Sequence, residues 1–359
     1  MRVLPAAKSM SWRKRLAWAA GTLLLLGGLQ AAQPYLDPYY ARILLLAGIN
    51  IILAVSLNLI NGFTGQFSIG HAGFMAVGAY TGAAISVFFG ENITDTLAAL
   101  GLPDALSLPA LLITAVVVGA TAAALMGLVV GLPSLRLRGD YLAIATIGFG
   151  EGIRSLIENT RAVGGASGFY GIPPATNFFW IFLFVVGVIL FSRSIALSSH
   201  GRALFAIRED ELAAESVGIN TFRYKVLIFV IGAAWAGVAG VLLAHLELTI
   251  SPQPFGFMRS VEVVVMVVLG GMGSITGAVI AAVVLTALPE FLRTVLGALP
   301  QAFGSVNDYR MVIYSLILII LMLTRPQGLF GRHEFGPAAA IRGLIDERLA
   351  RLRRKNGAS

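Results

Sequence analysis

Arg202, Arg208, Glu209, Asp210, Glu211 and Glu215 fall within fourteen residues, between two long apolar stretches. Acids and bases mixed at that density suit ion pairing and hydrogen bonding at a wetted surface, not bond-breaking chemistry. Two readings fit: a solvated spacer, or a place where a soluble protein docks. The acids come early, where the positive end of a helix favours them, and Gly218 stands where a helix would stop. A short helix near 209–217, outside the bilayer, is predicted. Glu211 and Glu215 are like charges four apart, mildly unfavourable within an isolated helix. A partner would relieve them. Ser198–Gly201 is expected to be the hinge joining this island to the preceding apolar segment.

Other ionisable residues lie inside apolar runs, where they mark function by default. Glu151 and Arg154 are three apart, as are Arg259 and Glu262, and Glu290 and Arg293; His71, His245 and Glu247 sit near segment ends. Spacing of three lets opposite charges meet on one helix face. Neutralised pairs that fix packing are the favoured reading, ahead of a proton relay. A proton-coupled carrier needs an unpaired acid; Glu262 is the candidate, and Arg259 is placed to neutralise it.

Two glycine-rich stretches interrupt the apolar runs: NGFTGQFSIGHAG at 61–73 and LGGMGSITGA at 269–278. Broken helices at membrane depth need glycine, and their freed backbone groups must face protein or a watery cavity. Thr64, Gln66, Ser68, Ser274 and Thr276 are therefore candidates to line a translocation pathway. Close packing of helices through small residues explains the same stretches, and both readings stay open.

No phosphate-binding G-x-x-x-x-G-K-[ST] loop exists, since none of the four lysines (8, 14, 225, 355) follows a glycine. The four histidines are scattered and cysteine is absent, so no metal-ligand cluster, thiol chemistry or disulfide framework is expected. No catalytic residue, metal or cofactor is assigned. The net charge of +8 needs no nucleic acid to explain it, because cytoplasmic loops of membrane proteins collect Lys and Arg.

The elements that must position these residues are membrane helices. The chain is 57% hydrophobic and 12% charged, against roughly 25% charge in soluble domains. A bilayer span needs about 20 mostly apolar residues. The expected fold is all-α, a polytopic transmembrane bundle of about ten segments: 16–32, 42–60, 71–90, 108–131, 141–157, 178–197, 226–248, 260–272, 274–296 and 309–323. Segment five is interrupted by Gly148, Gly150 and Gly152, and segment eight is short for a straight crossing. The first is read as a retained helix in preference to a cleaved leader, because the rest of the chain is also membrane-embedded. Residues 1–15 form a basic cytoplasmic N-terminus, 16–331 the membrane domain, and 332–359 a basic cytoplasmic tail, amphipathic over 338–355 and suited to the inner lipid face. Loops 91–107 and 158–177 fall outside. The island at 198–220 falls inside, with Arg136 and Arg138.

The segments SLNLINGFTGQFSIGHAGFMAVGAYTGA (56–83), LPSLRLRGDYLAIATIGFGEGIR (132–154), GRALFAIREDELAAESVGINTFRYKVLIFVIGAAWAGVAGVL (201–242), VVLGGMGSITGAVIAA (267–282) and TRPQGLFG (324–331) resemble the permeases of branched-chain amino acid ABC importers, of the LivM type. Together they cover most of residues 50–331, in the family's order. The resemblance implies a ten-helix importer fold in a bacterial inner membrane. It implies a second homologous permease, two cytoplasmic ATPase subunits that use the ATP, and a periplasmic binding protein. Carried over, Arg202, Arg208, Glu209, Asp210, Glu211, Ala214, Gly218 and Asn220 would contact the ATPase. Related permeases serve urea, short amides and aromatic acids, so the substrate stays open. Loop 91–107 and the tail after 331 match no family motif. An ion-coupled secondary transporter is the alternative of a different class.

Overall fold

The computed structural model describes residues 27–324 apart from 29, 32, 100–102, 104, 105, 138 and 298–309, together with Gly328. The expected N-terminal and C-terminal basic segments, Arg138 and most of the first apolar run lie outside the described residues. The described chain is helical: α1 (Pro38–Thr64), α2 (His71–Ala99), α3 (Ser107–Ser134), α4 (Asp140–Asn159), α5 (Phe178–Leu197), α6 (Ser199–Glu209), α7 (Glu211–Ser216), α8 (Thr221–Glu247), α9 (Phe257–Gly270), α10 (Ile275–Gly297) and α11 (Arg310–Thr324). Six of these, α1, α2, α3, α5, α8 and α10, are long and apolar enough to cross a membrane. The expected count of ten crossings is not established by these elements, because α4, α9 and α11 are not among the six.

Helix α2 runs nine residues past Gly90, where a loop was expected from 91. No glycine or proline interrupts ENITDTLAA before Gly101 and Pro103, so nothing stops the helix there. The glycines of α4 do not break it either.

The centre is a tight trio, α2, α3 and α8, with α1 packed against α8 and bracketed by α10 and α5. Small residues make the trio possible. A methyl group at Gly78 of α2 would collide with the backbone of Gly237 on α8, and one at Gly237 would meet Ala123 of α3. Without driving force from water, close van der Waals contact is what holds such helices together. Outward faces stay apolar, as at Ile113, Val117, Leu125 and Val129 of α3, which suits lipid.

At one end of the bundle the segments 160–177 and 248–256 are tied by an isolated antiparallel bridge. Phe169 N–H donates to Ile250 O at 2.7 Å, and Ile250 N–H returns to Phe169 O at 3.0 Å. Helices α6 and α7 lie at the other end, as α8 spans the distance between them; its 27 residues measure about 40 Å at 1.5 Å per residue.

Candidate functional site

The charged island is a built element of two helices. Ser198 closes α5 and opens α6: its N–H donates to Ile195 O, and its hydroxyl accepts from Gly201 N–H at 3.1 Å. The expected hinge is therefore a capped corner. Gly201 fits there because a side chain would strike the Ile195 carbonyl. Asp210 ends α6 and caps α7, its carboxylate accepting from Ala213 N–H at 3.0 Å. The helix predicted near 209–217 is α7, and a longer one precedes it. Gly218, at φ +85°, ends α7: its N–H donates to Glu215 O, and Ile219 N–H donates back to Ala214 O, the paired C-terminal closure that glycine permits. Asn220 then caps α8 through Arg223 N–H at 3.0 Å.

The two acids of α7 have a partner within the chain. Lys225 Nζ, on a side chain only 9% exposed, lies 2.5 Å from Glu211 Oε1, and the Thr221 hydroxyl donates to Glu215 at 2.6 Å. The expectation that an outside partner would relieve Glu211 and Glu215 is corrected: the first turns of α8 do so. The i,i+4 rule considers one helix, whereas this contact crosses the turn at 217–220.

Arg208 also turns inward. Its Nη1 donates to Gly62 O at 2.6 Å, near the end of α1. There it meets the 271–274 turn between α9 and α10. Asn58 of α1 accepts from Gly273 N–H at 2.8 Å and donates to Ser274 O at 3.2 Å. Gly273, at φ +93°, has no room for a side chain beside the Arg208 guanidinium. One junction thus joins the end of α6, the break between α1 and α2, and the turn between α9 and α10. Among the eight carried-over residues, Arg208, Asp210, Glu211, Ala214, Gly218 and Asn220 shape the element, while Arg202 and Glu209 are exposed on it. Sequence reasoning missed its most exposed apolar residues, Leu212 (65%) and Val217 (74%). Two large aliphatics among polar neighbours were the available signal.

The pathway candidates fall at this junction. Thr64, Gln66, Ser68 and Ser274 are buried, and Thr276 is half-buried. Thr64 donates to Ile60 O at 2.7 Å, and Ser274 accepts from Gly277 N–H at 3.1 Å. Asn61 grips the backbone of Ser68 through both of its amide atoms. Gln66 Oε1, Ser68 Oγ and His71 Nδ1 have no hydrogen-bond partner among the described residues. The other ring nitrogen, His71 Nε2, donates to Ser56 Oγ at 2.8 Å, since that hydroxyl donates to Leu53 O.

The ionisable residues group at the opposite end. Arg154 pairs with Glu151 at 2.7 Å and Glu158 at 3.0 Å. Glu151 also accepts from Phe257 N–H at 2.6 Å, supplying a carboxylate to the start of α9, which its own Gly256 does not cap. Arg259 pairs with Glu262 at 2.9 Å and donates to Asn50 Oδ1 at 2.6 Å; Asn50 in turn donates to Thr286 at 2.7 Å. Glu247 pairs with Arg42 at 2.7 Å, and Glu290 with Arg293 at 3.8 Å. Between α8, α9 and the 249–255 segment lies a cleft of about 470 Å³, and Glu247, Arg259 and Glu262 line it. None of the five glycine-stretch candidates does.

The family described as branched-chain amino acid transport system, permease component, matches residues 39–322. The chain belongs to this permease family. It is 35% identical over 316 residues to the high-affinity branched-chain amino acid transport system permease protein LivM of Salmonella typhimurium, covering 78% of this chain and 67% of that protein. LivM of Escherichia coli matches to the same extent. The permease protein LivH of Salmonella typhimurium is 36% identical over 198 residues, which are 54% of this chain and 60% of LivH. No solved structure matches this chain. The permease is a multi-pass helical membrane protein, and its role is transport.

Proposed function

We propose that this permease is one of two homologous membrane subunits of an ATP-driven importer for leucine, isoleucine and valine in a bacterial inner membrane. Two cytoplasmic ATPases hydrolyse the ATP, a periplasmic binding protein delivers the solute, and the fold is the ten-helix importer type within residues 16–331. No cofactor is assigned to this chain. The carrying observation is the α6–α7 element: two capped helices outside the apolar bundle, presenting Leu212 and Val217 to solvent and fixed to α5, α8 and α1. Exposed aliphatics rimmed by polar residues suit a contact with another protein. Closure of the ATPases would push this element, and Arg208 would carry the displacement to both glycine-rich breaks, giving two states that bind solute differently. The ion-coupled alternative needs an unpaired acid, and Glu262 is engaged by Arg259.

The test is reconstitution with the two ATPases, the second permease and the binding protein. ATP-dependent leucine uptake is expected. Leu212→Asp with Val217→Asp should abolish co-purification of the ATPases while the permease still inserts. Undiminished co-purification and uptake would reject the docking assignment.

A further inference from the structure

Glu262 lies on α9 between two valines, and its side chain is 53% exposed. A carboxylate at membrane depth does not face lipid; it faces a bundle interior or a water-filled cavity, and marks a substrate path. The cleft supplies that surrounding. Its volume, about 470 Å³, lies within the roughly 300–1,000 Å³ of small-molecule sites. Its lining joins both signs of charge, Arg259 with Glu247 and Glu262, to an apolar wall that includes Met75, Leu243 and Phe255.

That combination complements a zwitterion bearing an aliphatic side chain. Arg259 is half prepared for it. Nη2 is anchored on Asn50 Oδ1, which orients the guanidinium, while Nη1 holds Glu262. An amino acid entering between Arg259 and Glu262 turns one ion pair into two: its carboxylate accepts from Arg259 and its ammonium donates to Glu262. Net charge in the cleft is unchanged, and neither protein charge is left unpaired.

We propose that this cleft is the permease's own binding site for an aliphatic α-amino acid, at the end of the bundle opposite the docking element. The proposal rests on the importer reading above and adds its substrate contacts. Uncharged amides or urea would leave the Arg259–Glu262 pair unopened, so the site discriminates against them.

The chain has no cysteine, so Met258→Cys, at an exposed position lining the cleft, gives this subunit a single thiol. In the reconstituted transporter, L-leucine at roughly ten times its dissociation constant should slow modification by a charged thiol reagent about tenfold. Urea should not, nor 4-methylpentanoate and 3-methylbutylamine, which each lack one of the two charges. Arg259→Gln and Glu262→Gln should each raise the KM for leucine about tenfold to a hundredfold, the loss of one charge-assisted hydrogen bond. Protection by urea equal to that by leucine overturns the proposal. So does unprotected labelling together with an unchanged KM in both glutamine variants. Absence of ATP-driven leucine uptake by the unsubstituted assembly is a different result, and it rejects the importer reading itself.

Discussion

The guanidinium of Arg208 reaches a carbonyl 146 positions away in sequence. Removing it leaves a buried acceptor and opens the junction, at about 1–3 kcal/mol. For Arg208→Met we expect ATP hydrolysis and ATPase co-purification to persist while leucine moved per ATP falls about tenfold or more; loss of co-purification instead would make Arg208 a docking contact. Lys225 invites a double-mutant cycle with Glu211. Lys225→Met strands two acids beside each other and should destabilise the α6–α7 element, read as faster proteolysis at 210–218. Adding Glu211→Gln should recover part of that loss, since coupled partners are not additive. Both contacts were illegible in the sequence for the same reason. Spacing rules describe neighbours on one helix, and these bonds form between elements that meet only after folding.

Among the elements, two of the apolar runs were legible almost to the residue: the expected segment 178–197 is α5, and 274–296 differs from α10 by one residue at each end. Length and hydropathy decide such helices locally. Which face meets which neighbour was not legible, because a small residue serves equally for a helix break and for a close crossing. In the fold, Gly78 and Gly237 make the crossing, whereas Gly65 and Gly273, both at positive φ, make breaks. Gly237→Leu should therefore wedge α2 from α8 and cost about 3 kcal/mol or more, measured as a lower aggregation midpoint in detergent. Gly148→Ala should cost far less, since a methyl group there meets nothing within 4 Å.

For the whole molecule, the two candidate sites lie toward opposite ends of α8, and under the importer proposal they open to opposite sides of the membrane. A thiol at Leu212→Cys should react with an impermeant reagent only in inverted vesicles, and one at Met258→Cys only in intact spheroplasts. Reaction of both from one side would contradict the placement. Positive charge is what suggested the sidedness, and Arg136, just past the end of α3, lies at the same end of the bundle as α6 and α7, 5.9 Å from the Phe222 ring at the start of α8. The cleft was not foreseen as a unit, because its lining comes from α2, α8, α9 and the segment between the last two.

Because Ser198 caps both α5 and α6, no slack residue separates α6 from a 20-residue helix long and apolar enough to cross a membrane. That shared cap makes the pair a bent lever with a long arm. Helix α5 is about 30 Å long, so a turn of about 10° at the corner swings its far end by about 5 Å, one helical pitch. A small displacement at the water-exposed end is thereby geared up into a motion large enough to exchange one set of packed side chains for the next.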